Sequence, residues 1–598
     1  VARNLFKTKS LDDIMRAAGN PEHGLRRVLG PGHITLLGIG AIIGAGIFAT
    51  VGSAAAGDLA RPGAGPSLML SFGITAVVCA FTALCYAELA SMVPIAGSAY
   101  TYSYATLGEV IAWIIGWDLI IEYAVGNIAV AISWANYFRT FLQDAFHWDF
   151  PQWLAIDYRT AAKLDAAREA ALAAGENVLY PSILANAPHI GGVPIVFNLL
   201  GVLIVAAITI VLVRGVRESA RFNAGMVIIK LIVLAFFVAV AFYFMSPSKM
   251  AANWHPFQPN GWKGTFAGAA IVFFAYIGFD AVSTVAEETR NPGRDLPIGI
   301  IASLLICTVI YVVVAAVFTG LISYPELIQR LEHEKAEPLT MALQHVAPQA
   351  KWASAIVAFG SVVAHTAVLL VFQMGQPRIF FAMARDGLLP ATFAKVHPRF
   401  RTPHITTILT GLFVGGAAAV ANLDEMVDLT NIGTLFAFAL VCIGVIVLRY
   451  TDPHRTRPFR VPGPAWLLPG LGAVSCVGLM YYLPGTSWWR FFGWLLLGLA
   501  VYAAFGYCHS TVGRDTGRPV QLPASLKLAA VGFLLIAVGL FTIPHHSTPR
   551  ELVHAVATAG DILHGRSLTG AIFAAVGLAL VAVCSPFGFR RSEPAPRR

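Results

Sequence analysis

Charged side chains are scarce in this chain. Only 12% of its 598 residues are Asp, Glu, Lys or Arg, against about 25% in a soluble domain. That shortage excludes an ordinary water-solvated fold. Cysteine is scarce as well, at seven residues. Cys79, Cys85, Cys307, Cys442, Cys476 and Cys584 lie in apolar runs, where they behave as small hydrophobes, and Cys508 sits beside His509. There is no CxxC and no His/Cys cluster, so neither a disulfide framework nor a metal centre is indicated. GxSxG, P-loop and HExxH signatures are also absent, which leaves no nucleophile and base set for an enzyme.

Apolar residues are plentiful, at 57%. Long hydrophobic runs recur along the whole length and read as a polytopic, all-α membrane protein. About fourteen spans are expected, each long enough to cross about 30 Å of hydrocarbon at about 1.5 Å per residue. They lie near 34–56, 66–92, 107–138, 194–213, 222–245, 265–287, 297–322, 352–383, 404–421, 427–448, 465–483, 488–507, 527–544 and 568–585.

The net charge of +9 reads as membrane orientation. No basic face alternates with exposed aromatics, so nucleic acid is not an expected partner. Basic residues gather in alternate loops. The first thirty residues, Arg214/Arg217/Arg221, Arg290/Arg294, Lys395/Arg399/Arg401, Arg449/Arg455/Arg457/Arg460, Arg514/Arg518/Lys527 and Arg590/Arg591/Arg597/Arg598 all fall on one expected side. That side is the cytoplasm, with both termini in it and no cleavable signal peptide. The expected division is a tail at 1–33, a ten-helix core at 34–448, further membrane helices at 449–586 and a tail at 587–598. A polar insertion at 141–193 interrupts the short-loop pattern on the outer side. Within it, Asp157 to Gly175 is rich in Ala, Lys, Arg and Glu and predicts a surface helix, either a simple cap or a lid contact. The loop at 322–351 predicts a short amphipathic helix.

Two apolar spans carry residues that break helices. The first contains GIGAIIGAGIF, Gly38 to Phe48; the sixth contains FAYIGFDAVSTVAEE, Phe274 to Glu288, with Gly278 and Asp280 inside it. Backbone that leaves the helix at membrane depth persists only where protein or a cavity satisfies it. Paired breaks of this kind point to a binding site near the bilayer midplane. If the chain unwinds at Gly44-Ala45-Gly46, the amides of Ala45, Gly46 and Ile47 form the positive end of the next half-helix and suit a carboxylate. The carbonyls of Ile42 and Ile43 end the preceding half-helix and suit an ammonium. One break thus offers both poles of an α-amino acid. The alternative for Gly40/Gly44 alone is a small-residue packing face.

The sixth span adds Phe274, whose ring can close over a ligand, and free carbonyls near Phe274 and Ile277. Asp280 is an acid within the bilayer, suited either to proton movement or to bracing the broken backbone. Lys230 lies nine residues past Arg221, about 13 Å along a helix. An amine so deep is a candidate to exchange a proton, or else a fixed charge replacing a bound cation. Glu122 and Asp118 share one helix face at i, i+4. Glu122 is the deeper of the two and suits a proton relay or a structural pairing. His365 is either a satisfied core histidine or a residue on the substrate side. Glu88 reads as structural.

Several stretches together resemble one family: TLLGIGAIIGAGIF, CYAELASMVPIAGSAYTYSYATLGE, IGWDLIIEY, FFAYIGFDAVSTVAEETRNPGRDLPIGI and GQPRIFFAMARDGLLP. They resemble the amino acid–polyamine–organocation superfamily, and within it the cationic amino acid transporters and their bacterial relatives, over roughly residues 25–460. The resemblance implies the inverted-repeat fold shared with sodium-coupled amine and amino acid transporters, two halves of about five helices followed by about four more. It implies a substrate site lined by Ile42, Ile43, Gly44, Ala45, Gly46 and Ile47 and by Phe274, Ala275, Ile277 and Gly278, with His365 near the side-chain pocket. It also implies coupling through Lys230, Glu122 and Asp280. Ala45 departs from the many relatives with Ser or Thr there, and the 141–193 insertion is longer than expected.

The expectation is a proton-coupled L-amino acid symporter of the inner (plasma) membrane, with no cofactor beyond the coupling proton and no known partner subunit. An Arg/Lys/ornithine facilitator or exchanger is the alternative, and a non-transporting amino acid sensor is a remote one.

Overall fold

The computed structural model describes residues 6–11, 29–58, 61–93, 98–175, 181–215, 220–333, 337–400, 402–511 and 524–541. These residues are mostly helical. Nine helices are long and apolar enough to cross a membrane, and four shorter apolar helices accompany them among the described residues. All thirteen overlap expected spans. The fourteenth, at 568–585, lies outside the described residues.

In chain order the helices that shape the centre are α1 (Pro31–Ile42), α2 (Val51–Ala56), α3 (Leu68–Met92), α4 (Glu109–Ile120) and α5 (Gly126–Phe146). They are followed by α6 (Leu199–Arg214), α7 (Ala220–Phe244), α8 (Gly261–Val272), α9 (Pro292–Leu321), α10 (Lys351–Arg385), α11 (His404–Ala418) and α12 (Leu423–Thr451). Pro31 and Pro292 open α1 and α9, where the missing N–H is no loss. α9 packs along α1 and α3, and α10 along α5 and α7. The breaks are therefore enclosed on all sides by helices.

The first expected span is not one helix. α1 ends at Ile42, Ile43 is extended (φ −75°, ψ 104°), and a π-helical turn at Gly46–Thr50 leads into α2. The sixth divides likewise. After α8 comes a 3-10 turn at Phe273–Tyr276, then extended Ile277 and Gly278 at φ +118°, then a 3-10 helix at Asp280–Glu288. A π-helical turn at Ile121–Val125 joins α4 to α5, and Glu122 lies in it.

The 141–193 region departs from expectation at both edges. α5 continues to Phe146 and stops at left-handed His147, and the fourth span begins at Leu199 rather than near 194. A hairpin of two-residue strands, His189–Ile190 paired with Val193–Pro194, precedes it, and irregular chain at 195–198 leads into the helix. Gly191 and Gly192, both at positive φ, make the hairpin turn, and the Asn198 side chain caps α6 by accepting from Gly201 N. The predicted surface helix is present at Tyr158–Ala173, capped by Asp157. The 322–351 loop holds two helices rather than one, Tyr324–His333 and Pro338–Val346.

Candidate functional site

The two breaks touch. A Cβ added to Gly46 would lie 2.1 Å from Ala275 Cα, and one added to Gly278 would lie 2.8 Å from Ala41 O. Only hydrogen at these positions lets the two backbones approach so closely. Ile42, Ile43, Ala45, Ile47, Phe274, Ala275 and Ile277 are all buried at this contact. Val368 of α10 closes the space over Gly44, within 2.5 Å of where a Cβ would stand.

The end of α1 presents its last carbonyls to two protein donors. Lys230 Nζ, fully buried, donates to Gly40 O (2.6 Å) and Ile43 O (2.7 Å). A cation at the carbonyl end of a helix is favoured by the helix dipole. The Tyr311 hydroxyl lies 2.9 Å from Ile42 O and 2.9 Å from Ala275 O, so one phenol spans both breaks. The carbonyls expected to stand free for an ammonium are thus already engaged. Each retains a second lone pair for a further donor. At the amide end, residues 44–47 make no backbone hydrogen bond to a neighbouring element among the described residues.

Asp280 Oδ1 accepts from Gly278 N at 3.2 Å, so this acid pins the broken backbone of its own segment. Its carboxyl neighbours that of Glu122, and Asp280 Oδ2 and Glu122 Oε2 are buried with no protein partner. Asp118, one turn before Glu122, is buried with both oxygens unpartnered. Among the described residues no ion pair links Lys230 to Glu122 or Asp280; its bonds go to the carbonyls of Gly40 and Ile43.

His365 lies on α10, three residues before Val368, against the rings of Phe48 in the turn after the first break and of Tyr137, at 5.9 and 5.7 Å. Its Nδ1 is 2.6 Å from Ser361 O, which can only accept, so Nδ1 carries the hydrogen and Nε2 accepts from Ser133 Oγ at 2.7 Å. Both ring nitrogens are satisfied. Glu88 is the hub of a buried ion cluster with Arg449 and Arg457, and it also accepts from Val461 N at 2.8 Å.

Several residues that hold the site carry no motif. Tyr311 is one. Tyr137 donates to Phe48 O (2.6 Å), and Asn431 Nδ2 donates to Ala270 O (2.9 Å). The only sequence signal for them is a polar atom inside an apolar run.

At the end of the bundle that bears the insertion, Arg61 binds Asp428 of α12 through two parallel bonds of 2.8 and 3.0 Å and also pairs with Asp58 at 2.7 Å. Asp424 accepts from Ser53 just after the first break, and Glu425 pairs with Arg159 of the insertion and with Arg490. At the opposite end Lys9 pairs with Asp386 at 2.7 Å, and Tyr100 donates to the same carboxylate at 2.8 Å.

Comparison with known proteins shows the family. The sequence model of the family described as "Amino acid permease" matches residues 29–505. The chain is 42% identical over 512 residues to the branched-chain amino acid permease BcaP of Bacillus subtilis, covering 86% of this chain and 99% of that protein. It is 40% identical over 512 residues to the methylthioribose transporter of the same organism, covering 86% and 100%. It is 35% identical over 452 residues to the vacuolar cationic amino acid transporter 4 of Arabidopsis thaliana, covering 75% and 68%. These relatives are membrane carriers, not enzymes, and with two touching helix breaks enclosed in a bundle of apolar helices, this multi-pass membrane protein belongs to the amino acid permease family of the amino acid–polyamine–organocation superfamily.

Proposed function

We propose that this chain is a proton-coupled L-amino acid symporter of the plasma membrane that works by alternating access. The substrate lies between the two breaks, its carboxylate at the amides of Ala45, Gly46 and Ile47 and its ammonium at the carbonyl end of α1. Ile42, Ile43, Gly44, Phe274, Ala275, Ile277 and Gly278 complete the lining. Lys230, Glu122 and Asp280 carry the coupling, and the proton is the only coupling species. The broken segments belong to two inverted halves within a plan of about fourteen helices, both termini cytoplasmic.

The observation that carries this reading is Lys230 bonded to Gly40 O and Ile43 O. A proton leaving this amine weakens its hold on the carbonyl end of α1, which is one pole of the substrate site. Binding and protonation then act on the same backbone, and a ligand that favours one arrangement shifts the balance between them. The lining favours a neutral aliphatic side chain. Ile42, Ile43, Ile47, Phe274, Ile277 and Val368 present no charge, and a branched-chain permease stands among the most similar relatives.

A facilitator or exchanger of cationic amino acids is the second reading. The unpartnered carboxyl oxygens of Glu122 and Asp280, with the cationic amino acid transporters among the relatives, favour it. Proteoliposome uptake with a panel of amino acids, with and without an inward proton gradient, tests both. Gradient-driven accumulation of Leu, Ile or Val is expected. Counterflow of Arg or Lys indifferent to the gradient would favour the second reading, and no flux of any amino acid would overturn both.

A further inference from the structure

Buried polar atoms as a rule find a partner, in protein or in ordered water. Beside the second break a run of them finds none in the protein. The orphan oxygens of Asp118, Glu122 and Asp280 are joined by the hydroxyls of Tyr86, Tyr102, Ser283 and Thr434, all buried and all without a protein partner. These groups are neighbours. Asp118 and Glu122 share a face at i, i+4. Thr434 of α12 lies beside Glu122, and a Cβ on the adjoining Gly433 would stand 2.9 Å from Asp118 Oδ1. The Glu122 and Asp280 carboxyls adjoin. Asp280 and Ser283 sit three apart in a 3-10 helix, where side chains at i and i+3 eclipse, so they lie in line on one face. Tyr102 faces Ser283, the rings of Tyr102 and Tyr86 are 6.4 Å apart, and Tyr86 faces back to Asp280 and Glu122.

The run has a direction. Tyr102 lies on the short helix Ser98–Thr106. Along that helix Tyr100 donates to Asp386 at 2.8 Å, and Tyr104 O accepts from Lys9 N at 3.1 Å. The unpartnered groups therefore start at the acids beside the second break and end next to the Lys9–Asp386 pair, at the end of the bundle opposite the insertion. The lack of partners is not general to this helix, since the Tyr104 hydroxyl donates to Glu109 Oε2 at 3.1 Å.

The geometry points to a water-bearing passage, lined by Ser283, Tyr86 and Tyr102, that carries the coupling proton from the Glu122–Asp280 pair to the end of the bundle holding Lys9 and Asp386. This rests on the two acids taking part in coupling, as proposed above. A carboxyl of the pair gives up its hydrogen, through water, to Ser283 Oγ. Ser283 passes its own hydrogen on to Tyr102, and Tyr102 passes its own to water at that end. Each hydroxyl finishes with one hydrogen, as it began, and one proton has moved. Asp118 and Tyr86 are the titratable groups that face the pair, and Tyr123 and Tyr102 face Tyr86. The 3-10 winding after the second break thereby gains a role, because it sets Ser283 in line with Asp280.

The test uses full-length protein in proteoliposomes with a pH dye inside. It follows Leu-driven acidification of the lumen and, separately, Leu–Leu counterflow at equal pH. Counterflow exchanges substrate without releasing the proton, so only acidification draws on the passage. Ser283→Ala is expected to slow acidification about tenfold while counterflow stays within about twofold of the unaltered protein, since a positioned proton-transfer group contributes about a hundredfold and water makes up part of its loss. Tyr102→Phe is expected to act likewise. Tyr104→Phe, the same chemical change at a partnered hydroxyl on the same helix, should leave the ratio of the two fluxes unchanged. An equal fall of both fluxes in Ser283→Ala and Tyr102→Phe, or acidification at the unaltered rate in both, would overturn the passage alone. If Ser283→Ala is not recovered folded, Tyr102→Phe decides by the same ratio. Leu counterflow without acidification in the unaltered protein would overturn the proton coupling itself, and the passage with it.

Discussion

Gly46 and Ala275 meet backbone to backbone, with the place of a Gly46 Cβ only 2.1 Å from Ala275 Cα. Main chain cannot swing aside as a side chain can, so Gly46 fixes how closely the breaks approach. Gly46→Ala is expected to lose transport and to lower stability by about 1–3 kcal/mol, the usual cost of overfilling a packed interior. Uptake assays with thermal melts of the detergent-purified protein check both parts. Gly225, whose added Cβ meets nothing within 4 Å, provides the control, and Gly225→Ala should behave as the unaltered protein.

Lys230→Ala removes the donor from Gly40 O and Ile43 O together. Each carbonyl left unpaired costs about 1–3 kcal/mol. If the amine also carries the coupling proton, uptake in this variant loses its dependence on pH while counterflow persists. A pH profile of uptake that matches the unaltered protein would remove Lys230 from coupling and leave it a brace for α1.

The breaks were legible because glycine density inside an apolar run conflicts with a stiff helix, and Gly44, Gly46 and Gly278 carry that conflict in the sequence alone. Lys230 was legible because an amine within an apolar run is rare. Its partners were not, since backbone carbonyls have no letter in a sequence. Tyr311 was invisible for a related reason: a tyrosine among valines is unremarkable until its oxygen is seen between two carbonyls 36 and 269 positions away. The form of the second break was also hidden. Propensity predicts α-helix after Gly278, whereas Asp280–Glu288 winds as a 3-10 helix. His365 shows the converse, because its depth in the span was apparent but the pairing of both its nitrogens was not.

Arg61 and Asp428 are 367 positions apart and form a forked pair that ties the segment after α2 to α12. Removing one partner of a buried pair strands the other charge, at a cost of roughly 3–5 kcal/mol. Asp428→Ala should fall at the low end of that range, since Arg61 keeps Asp58. Arg61→Met combined with Asp428→Leu should recover much of the loss, because no buried charge then remains. Melting temperatures of the two variants give the comparison, and a double variant less stable than the single one would contradict it.

Asp165 organises the insertion from the middle of the Tyr158–Ala173 helix. Burial alone would raise its carboxyl pKa. The amides of Leu184 and Ile183, the Ser182 hydroxyl and the charge of Arg168 outweigh burial and hold it below its ordinary value. A carboxyl lowered on folding adds stability in full above its unfolded value, near pH 4. That contribution drains away as pH falls through the lower folded value. The local clamp should therefore be constant from pH 8 to pH 5 and loosen only in stronger acid. Hydrogen exchange at the Ile183 and Leu184 amides, corrected for intrinsic pH dependence, should be level over that range and faster in Asp165→Asn at every pH within it. Exchange that already quickens between pH 7 and pH 5 in the unaltered protein would show that another titrating group controls the insertion.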